Sequence, residues 1–395
     1  MKSIFVFLAS FLLLFSSCNN SNNNSVSETV SPPPSNNDSI NKFLKVYSNK
    51  KTKQLDALFK NKVKTARFNG CVLVAQHGKI IYKNVWGLAD FKTKKPLTIN
   101  SSFQLASASK TLTASAILLL KDQEKLKLTD GIQQYLPNFP YQGITIEMLL
   151  THRSGLSNYV YFCEPYCDEL NCYNGSVFDN NALMHIIELY KPSIYFKPNR
   201  KFEYCNTNYA LLALIIEKIS GLSFADFMDK NFFKPLGMND TWVHNYKSTI
   251  TRENKTLGHD ASGRLDKEIY ADDVVGDKGI YSTVEDMFKW DQALYTQKIL
   301  KKETIEEAFT GYSNEHKGKR NYGYGWRLID NGKNNKIVYH NGWWHGYNTL
   351  FYRRPLDQTT VIILTNKDNR TIYHIEDVLA ILDNGLSAPE IETEE

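Results

Sequence analysis

No Gly-x-Ser-x-Gly elbow occurs in this sequence, which disfavours a plain α/β-hydrolase arrangement. A dense basic stripe is also missing. The chain carries 47 Lys and Arg against 42 Asp and Glu, and a net charge of +5 is too mild to argue for nucleic acid. The apolar run from Ile4 to Phe15 is too short to cross a bilayer as a helix. Cysteine is scarce, six in all. Cys163, Cys167 and Cys172 share a short acidic and aromatic window without histidines at ligand spacing, so one disulfide is expected there rather than a metal. Leaving Cys18 aside, the count is odd, and at least one thiol stays unpaired. Cys71, inside an apolar strand-like run, reads as a small buried residue. Nothing implies a cofactor.

What is present begins with Lys2, the apolar run and Ser16-Ser17-Cys18, the pattern of a secretory signal over 1–17. It looks like a lipoprotein cleavage site, with Cys18 as the lipidated first residue; the alternative is an ordinary signal that leaves Cys18 unmodified. Multiple acyl chains, each worth about 0.8 kcal/mol per buried CH₂, would anchor the protein to a membrane. Residues 18–41 are mainly Asn, Ser and Pro, and are expected to be a disordered tether. Residues 42–390 are long for a single core, so two packed subdomains are expected, and 391–395 form an acidic tail.

Along 42–390, charges and apolar residues alternate at helical spacing over 42–68. Two apolar runs, 71–75 and 79–82, flank His77-Gly78 as a hairpin. Helical patterns follow at 107–124, 181–190, 207–220, 223–232 and 283–296. Strand patterns occupy 324–329, 336–339, 349–352 and 360–365, and a last helix 371–386. The expected fold class is α/β in the α+β sense: an antiparallel sheet built from both chain ends, flanked by helices, with a helical subdomain inserted at roughly 111–270. A cleft at the seam between them is the expected place for a site.

Ser107-Ala108-Ser109-Lys110 opens one of these helices, ahead of Leu112, Ala116, Ile117, Leu119 and Leu120. A hydroxyl and an amine three residues apart share a helix face. An amine sheltered there is disfavoured as a cation and can take the serine proton, the core of a serine hydrolase. The bare pattern is cheap, since Ser39 with Lys42 and Ser48 with Lys51 repeat it without a comparable apolar run behind. Its company decides. Tyr204-Cys205-Asn206 precedes a second apolar helix, where Tyr204 would act as general base and then acid beside Lys110, and Asn206 would hold substrate and Lys110 by hydrogen bonds. Tyr82, Tyr312 and Tyr339 also have an asparagine two residues on, so context must choose. His340-Asn341-Gly342 closes a strand ahead of Trp343. A glycine there permits close backbone approach, and the N–H of Trp343 would join that of Ser107 as oxyanion donors.

These elements, in this order, resemble the serine β-lactamase and penicillin-binding protein superfamily over about residues 65–390. The branch with class C β-lactamases, DD-peptidases and related esterases is nearest. Supporting stretches are Phe103-Gln104-Leu105-Ala106-Ser107-Ala108-Ser109-Lys110-Thr111, Leu149-Leu150-Thr151-His152-Arg153-Ser154-Gly155-Leu156 and Phe202-Glu203-Tyr204-Cys205-Asn206-Thr207-Asn208-Tyr209. Gly279-Ile280-Tyr281-Ser282-Thr283-Val284-Glu285-Asp286 and Tyr322-Gly323-Tyr324-Gly325-Trp326 belong with them. The resemblance implies a β-lactamase/transpeptidase-like fold, with Ser107 as nucleophile, Lys110 its partner and Tyr204 the general acid/base. Asn206, His340, Gly342 and Trp343 would bind substrate. His340 stands where β-lactamases carry a lysine before Thr-Gly. A histidine near its ordinary pKa of about 6.5 would gain charge toward pH 6 and hold anionic substrates more tightly there.

The expected function is hydrolysis of D-alanyl peptides of cell-wall material or small esters through an acyl-enzyme, on the envelope side of a bacterial membrane. A weak β-lactamase and a non-catalytic binding protein on the same fold are the alternatives. Partners are then a small-molecule or peptide substrate and the lipid-anchored membrane, with no nucleic acid and the oligomeric state open. His152 is expected to brace a turn. The 157–175 segment is either a lid or a packed insertion, and Cys205 is either an exposed thiol or the partner of a loop cysteine.

Overall fold

The structure, a computed structural model, describes residues 37–166, 178–245, 250–315, 318–330, 332 and 335–383. The signal, Cys18, Cys167, Cys172 and the acidic tail lie outside the described residues. The first helix is Asn37–Thr65, so it begins inside the segment expected to be a tether. Asn37-Asp38-Ser39 are helix-starting residues, and Ile40 extends the apolar period of Phe43 and Leu44 upstream of residue 42, which composition alone obscures.

Twelve strands are described: β1 (Gly70–Gln76), β2 (Lys79–Trp86), β3 (Leu88–Asp90), β4 (Lys95–Pro96), β5 (Phe103–Gln104), β6 (Trp242–Val243), β7 (Ile280–Ser282), β8 (Arg320–Tyr322), β9 (Arg327–Asp330), β10 (Lys336–Trp344), β11 (Tyr347–Arg354) and β12 (Thr359–Thr365). The main sheet runs β2-β1-β12-β11-β10-β9-β8, assembled from the two ends of the chain as expected, with antiparallel ladders throughout. His77 and Gly78 both take positive φ, +53° and +67°, as a two-residue turn matched to strand twist requires.

β1 and β12 are buried along their whole length, which is why their sequences are continuously apolar or small rather than alternating. Alternation still assigns the faces. Val72, Val74, Val361 and Ile363 pack with Leu55 and Phe59 of the first helix and with Val378 and Leu379 of the last. Cys71, Leu73, Ala75, Ile362 and Leu364 point the other way, into the larger core shared with Leu112, Ile117 and Leu211. Each such aliphatic side chain removed from water contributes about 1.5–3 kcal/mol.

The chain leaves the main sheet after β2 and rejoins it at β8. It forms the helices Ser109–Asp122, Ile146–Leu150, Asn180–Tyr190, Asn206–Ser220 and Phe224–Met228, and returns through β6 to the small sheet β5-β7-β6. Of the closing helix expected at 371–386, a 3-10 turn Arg370–Tyr373 and a helix Glu376–Leu382 form. β10 continues beyond residue 339 through Gly342 to Trp344, because Asn341, Gly342 and Trp343 keep pairing with Leu350, Thr349 and Asn348.

Candidate active site

Ser107 sits in a 3-10 turn, Ala106–Ala108, that leads from β5 into the helix Ser109–Asp122. The backbone before it is strained: Ala106 has φ +49°, a left-handed conformation costing a side chain on the order of 1–3 kcal/mol. Two strands hold the turn. Thr349 Oγ1 donates to the Leu105 carbonyl at 2.8 Å, and a Cβ on Gly342 would lie 2.2 Å from that same oxygen. Ser107 is 8 % exposed and Lys110 is fully buried. Lys110 Nζ lies 3.0 Å from Ser107 Oγ and donates to the Asp277 carbonyl at 2.8 Å. Helical spacing thus gives the contact it predicts, and the distance is right for direct proton transfer.

Tyr204 and Cys205 end the segment that leads into the helix Asn206–Ser220. Lys110 Nζ is 5.0 Å from the centre of the Tyr204 ring, and the Tyr204 and His340 rings are 6.3 Å apart. His152 does brace a turn, from the strained φ of +55°: its carbonyl accepts the Glu203 N–H at 2.9 Å and its Nδ1 the Cys205 N–H at 3.1 Å. Asn206 differs from expectation. Its Oδ1 accepts no hydrogen bond from Lys110 or from any other described residue, although it is buried. Such an atom is costly unless something fills it, which suits a substrate N–H. The site-facing reading of Cys205 is also corrected. The thiol is buried and unbridged, donates to the Ser157 carbonyl at 3.5 Å, and is pushed up to about 11 by burial. Within 157–175, Tyr159 and Cys163 are core residues, and 167–175 lies outside the described residues.

The third element arrives on β10. Gly342 brings the main chain of β10 against Leu105 and Ala106, and Trp343, 37 % exposed, lies under the Arg370 guanidinium. His340 is where the sequence reading needs its main correction. The ring is fully buried, and burial first, then the charges of Arg327 and Lys110, hold its pKa well below the ordinary value. It does not gain charge near pH 6, so KM for an anionic substrate is expected to be flat there. His152 is held neutral likewise, by burial and then by Lys110, His340 and Arg327. The unfolded chain therefore binds protons through about pH 6.5 that the folded chain refuses. Stability should rise with pH through that value and be lost below it, by up to about 1.4 kcal/mol per pH unit for each ring. Urea midpoints between pH 5 and 7.5 check this; no fall toward pH 5 would mean that the rings protonate in place.

Three contributors escaped the sequence reading. Arg327, at the start of β9, lies with its guanidinium 5.2 Å from the centre of the Tyr204 ring. The motif Tyr322-Gly323-Tyr324-Gly325-Trp326 was visible, but not that Gly325, at φ +80°, lets it pass 2.8 Å (as a Cβ) from the Lys110 carbonyl. Asp277 acts through a backbone oxygen, which no side-chain pattern announces. Its carboxylate accepts from Tyr159 at 2.9 Å, and the buried Lys278 donates to that phenol at 2.6 Å. Charged residues bracketed by Gly276 and Gly279 were the available signal.

Residues 55–385 match the family model described as Beta-lactamase. Penicillin-binding protein 4* of Bacillus subtilis (strain 168) is 37% identical over 340 residues, 82% of this chain and 73% of that protein. A putative penicillin-binding protein, PbpX, of the same strain is 31% identical over 326 residues, 81% of this chain and 76% of that protein. The octameric penicillin-binding protein homologue from Pyrococcus abyssi superposes with a TM-score of 0.72 at 25% identity, over 86% of this chain and 79% of that one. These similarities support a serine hydrolase-type function. With its sheet, its Ser-Lys pair and a family match over most of its length, the chain belongs to the β-lactamase family, among homologues of the penicillin-binding proteins.

Proposed function

We propose that the protein hydrolyses amide or ester bonds through an acyl-enzyme on Ser107. The observation that carries this reading is the buried Lys110 Nζ, 3.0 Å from Ser107 Oγ and 5.0 Å from the centre of the Tyr204 ring. Ser107 Oγ attacks the substrate carbonyl carbon while its proton passes to Lys110. The resulting oxyanion faces the main-chain N–H groups of Ser107 and Trp343, where β10 meets the nucleophile turn. Tyr204 then protonates the leaving nitrogen or oxygen as the C–N or C–O bond breaks. The proton held by Lys110 passes to the Tyr204 phenolate beside it, and water repeats the sequence to release the acid and restore Ser107. Asn206 Oδ1 takes a substrate N–H.

With His340 neutral, a fixed cation for an anionic substrate group is supplied by Arg327 instead. A half-buried guanidinium beside Tyr204 suits a carboxylate, which it can hold in two parallel hydrogen bonds. This favours D-alanyl peptides ending in a carboxylate over neutral esters, in keeping with two Bacillus relatives named as penicillin-binding proteins, since penicillin also carries a carboxylate. If Cys18 is lipidated, the activity is held at the envelope membrane.

The test uses the domain without its leader, treated with a fluorescent penicillin or a fluorophosphonate beside Ser107→Ala, with adducts read by mass. Penicillin labelling that vanishes in Ser107→Ala is the expected result. Labelling by fluorophosphonate alone would replace the peptide substrate with small esters. No Ser107-dependent adduct from either reagent would sink the hydrolase and leave a binding protein.

A further inference from the structure

Two buried histidines from distant parts of the chain, His152 and His340, meet at one phenol. Tyr322 Oη lies 3.3 Å from His152 Nε2 and 3.1 Å from His340 Nε2. The outer ends of both rings fix where their protons are. His340 Nδ1 is 2.6 Å from the Asn341 carbonyl, which can only accept, so that nitrogen carries the ring proton. His152 Nδ1 is 3.1 Å from the Cys205 N–H, which can only donate, so that nitrogen offers its lone pair. Asn208 agrees independently. Its Oδ1 is taken by the Ser154 hydroxyl at 2.6 Å, which leaves its NH₂ to face His152 Nδ1 at 3.2 Å.

A neutral imidazole has one N–H. His152 must therefore donate from Nε2, and His340 must accept at Nε2. Tyr322 satisfies both by accepting from one and donating to the other. Tyr209 also reaches Tyr322, but its hydroxyl donates to the Leu150 carbonyl at 2.8 Å, so it presents only a phenolic lone pair, a poorer acceptor than an imidazole nitrogen. The order of donation is then fixed from end to end: Cys205 N–H, His152, Tyr322, His340, Asn341 carbonyl.

We propose that Tyr322 is a positioning residue whose hydroxyl, between two neutral histidines, straps the loop carrying Tyr204 to the strand carrying Gly342 and Trp343. The proposal rests on the reading of Tyr204 as the proton donor to the leaving group. His152 holds the main chain on both sides of Tyr204, at Glu203 and Cys205, and its ring lies 4.4 Å from the Tyr204 ring centre. His340 stands two residues before Gly342 on β10. The strap therefore sets the span between the group that moves the proton and the backbone that faces the oxyanion, a distance on which rate depends steeply. It works only while both rings stay neutral. The basic groups that reach them are Lys110, from the nucleophile helix, and Arg327, from the start of β9; the other titratable neighbours are the phenols of Tyr204, Tyr209 and Tyr322. A protonated His340 would have no acceptor for its second N–H except the oxygen that already donates to it.

The experiment is two-bond ¹⁵N–¹H spectroscopy of histidine-labelled protein from pH 5 to 8, with turnover of a nitrophenyl ester measured on the same samples. Wild type is expected to show one ring as the Nε2–H tautomer and one as the Nδ1–H tautomer, neither titrating, and Tyr322→Phe should shift those two rings alone. Tyr322→Phe should also lower kcat roughly tenfold while KM changes less than threefold. A His340 ring carrying its proton on Nε2, either ring titrating in this range, or a folded Tyr322→Phe with wild-type kcat would overturn the proposal. Tyr204→Phe separates the two readings: it should keep both tautomers while losing turnover. If Tyr204→Phe keeps full turnover, the assigned role of Tyr204 fails even though the strap is seen. If Tyr322→Phe does not fold, the wild-type tautomers still decide.

Discussion

Lys110→Met is expected to slow acylation of Ser107 by roughly 10²–10⁴-fold, the usual worth of a positioned proton acceptor. The variant tests the pair with little disturbance to packing. Methionine is unbranched and nearly as long, and the site is buried on every side by Tyr204, Tyr209 and the helix itself. What it removes is the nitrogen 3.0 Å from Ser107 Oγ and the donor to the Asp277 carbonyl. The lost partner leaves that carbonyl short of a hydrogen bond, at a cost of about 1–3 kcal/mol. Relief from burying an amine offsets part of this, since apolar groups of similar volume often replace buried charges without net loss. The expected pattern is thus a melting temperature close to wild type with a labelling rate far below it. Fluorophosphonate labelling followed by mass over hours, beside thermal melts, reads both. Labelling at the wild-type rate would remove Lys110 from the chemistry and leave it a structural lysine.

Which parts were legible in the sequence follows from how far apart the interacting residues are. Ser107 and Lys110 lie one helical turn apart, so spacing alone delivers their contact. The hairpin around His77-Gly78 is equally local, and the apolar runs at both chain ends could find few partners except one another. His340 failed for the opposite reason. Its charge state depends first on burial and then on Arg327 and Lys110, which reach it through the sheet and the nucleophile helix, and a pattern of residue types carries no measure of that burial. Asn206 opens the helix Asn206–Ser220 instead of lying in a loop ahead of it, and Lys110 bonds elsewhere, to Ser107 and to the Asp277 backbone. Arg327 illustrates the same limit. It looks like one surface arginine among many until Gly325 brings its segment against the helix of Lys110. Motif order brought out Ser107 and Lys110, and long-range packing decided which cation beside Tyr204 is permanent.

Gly342→Ala should cost nearly as much activity as removing an oxyanion donor outright, roughly 10²–10³-fold in kcat. A Cβ at this position would sit 2.2 Å from the Leu105 carbonyl, 2.3 Å from Thr349 Oγ1 and 3.1 Å from the Ala106 Cβ. The first of these is backbone, in the strained turn that presents Ser107, so no side-chain rotation relieves it. Either β10 retreats or the turn does, and the hydrogen bond from Thr349 to Leu105 is lost in both cases. Displacement of the main chain at Trp343 by about 1 Å relative to Ser107 Oγ is enough for a loss on the order of 10²-fold. Overpacking should lower stability by about 1–3 kcal/mol, a visible shift in melting temperature but not unfolding. Gly131→Ala is the control, because its Cβ meets only Gln133 Oε1, at an ordinary 3.7 Å. Turnover that survives in Gly342→Ala would mean that the oxyanion is not stabilised at the seam between β10 and the nucleophile turn. Turnover lost there but kept in Gly131→Ala, with both proteins folded, would locate the oxyanion-stabilising backbone at this contact.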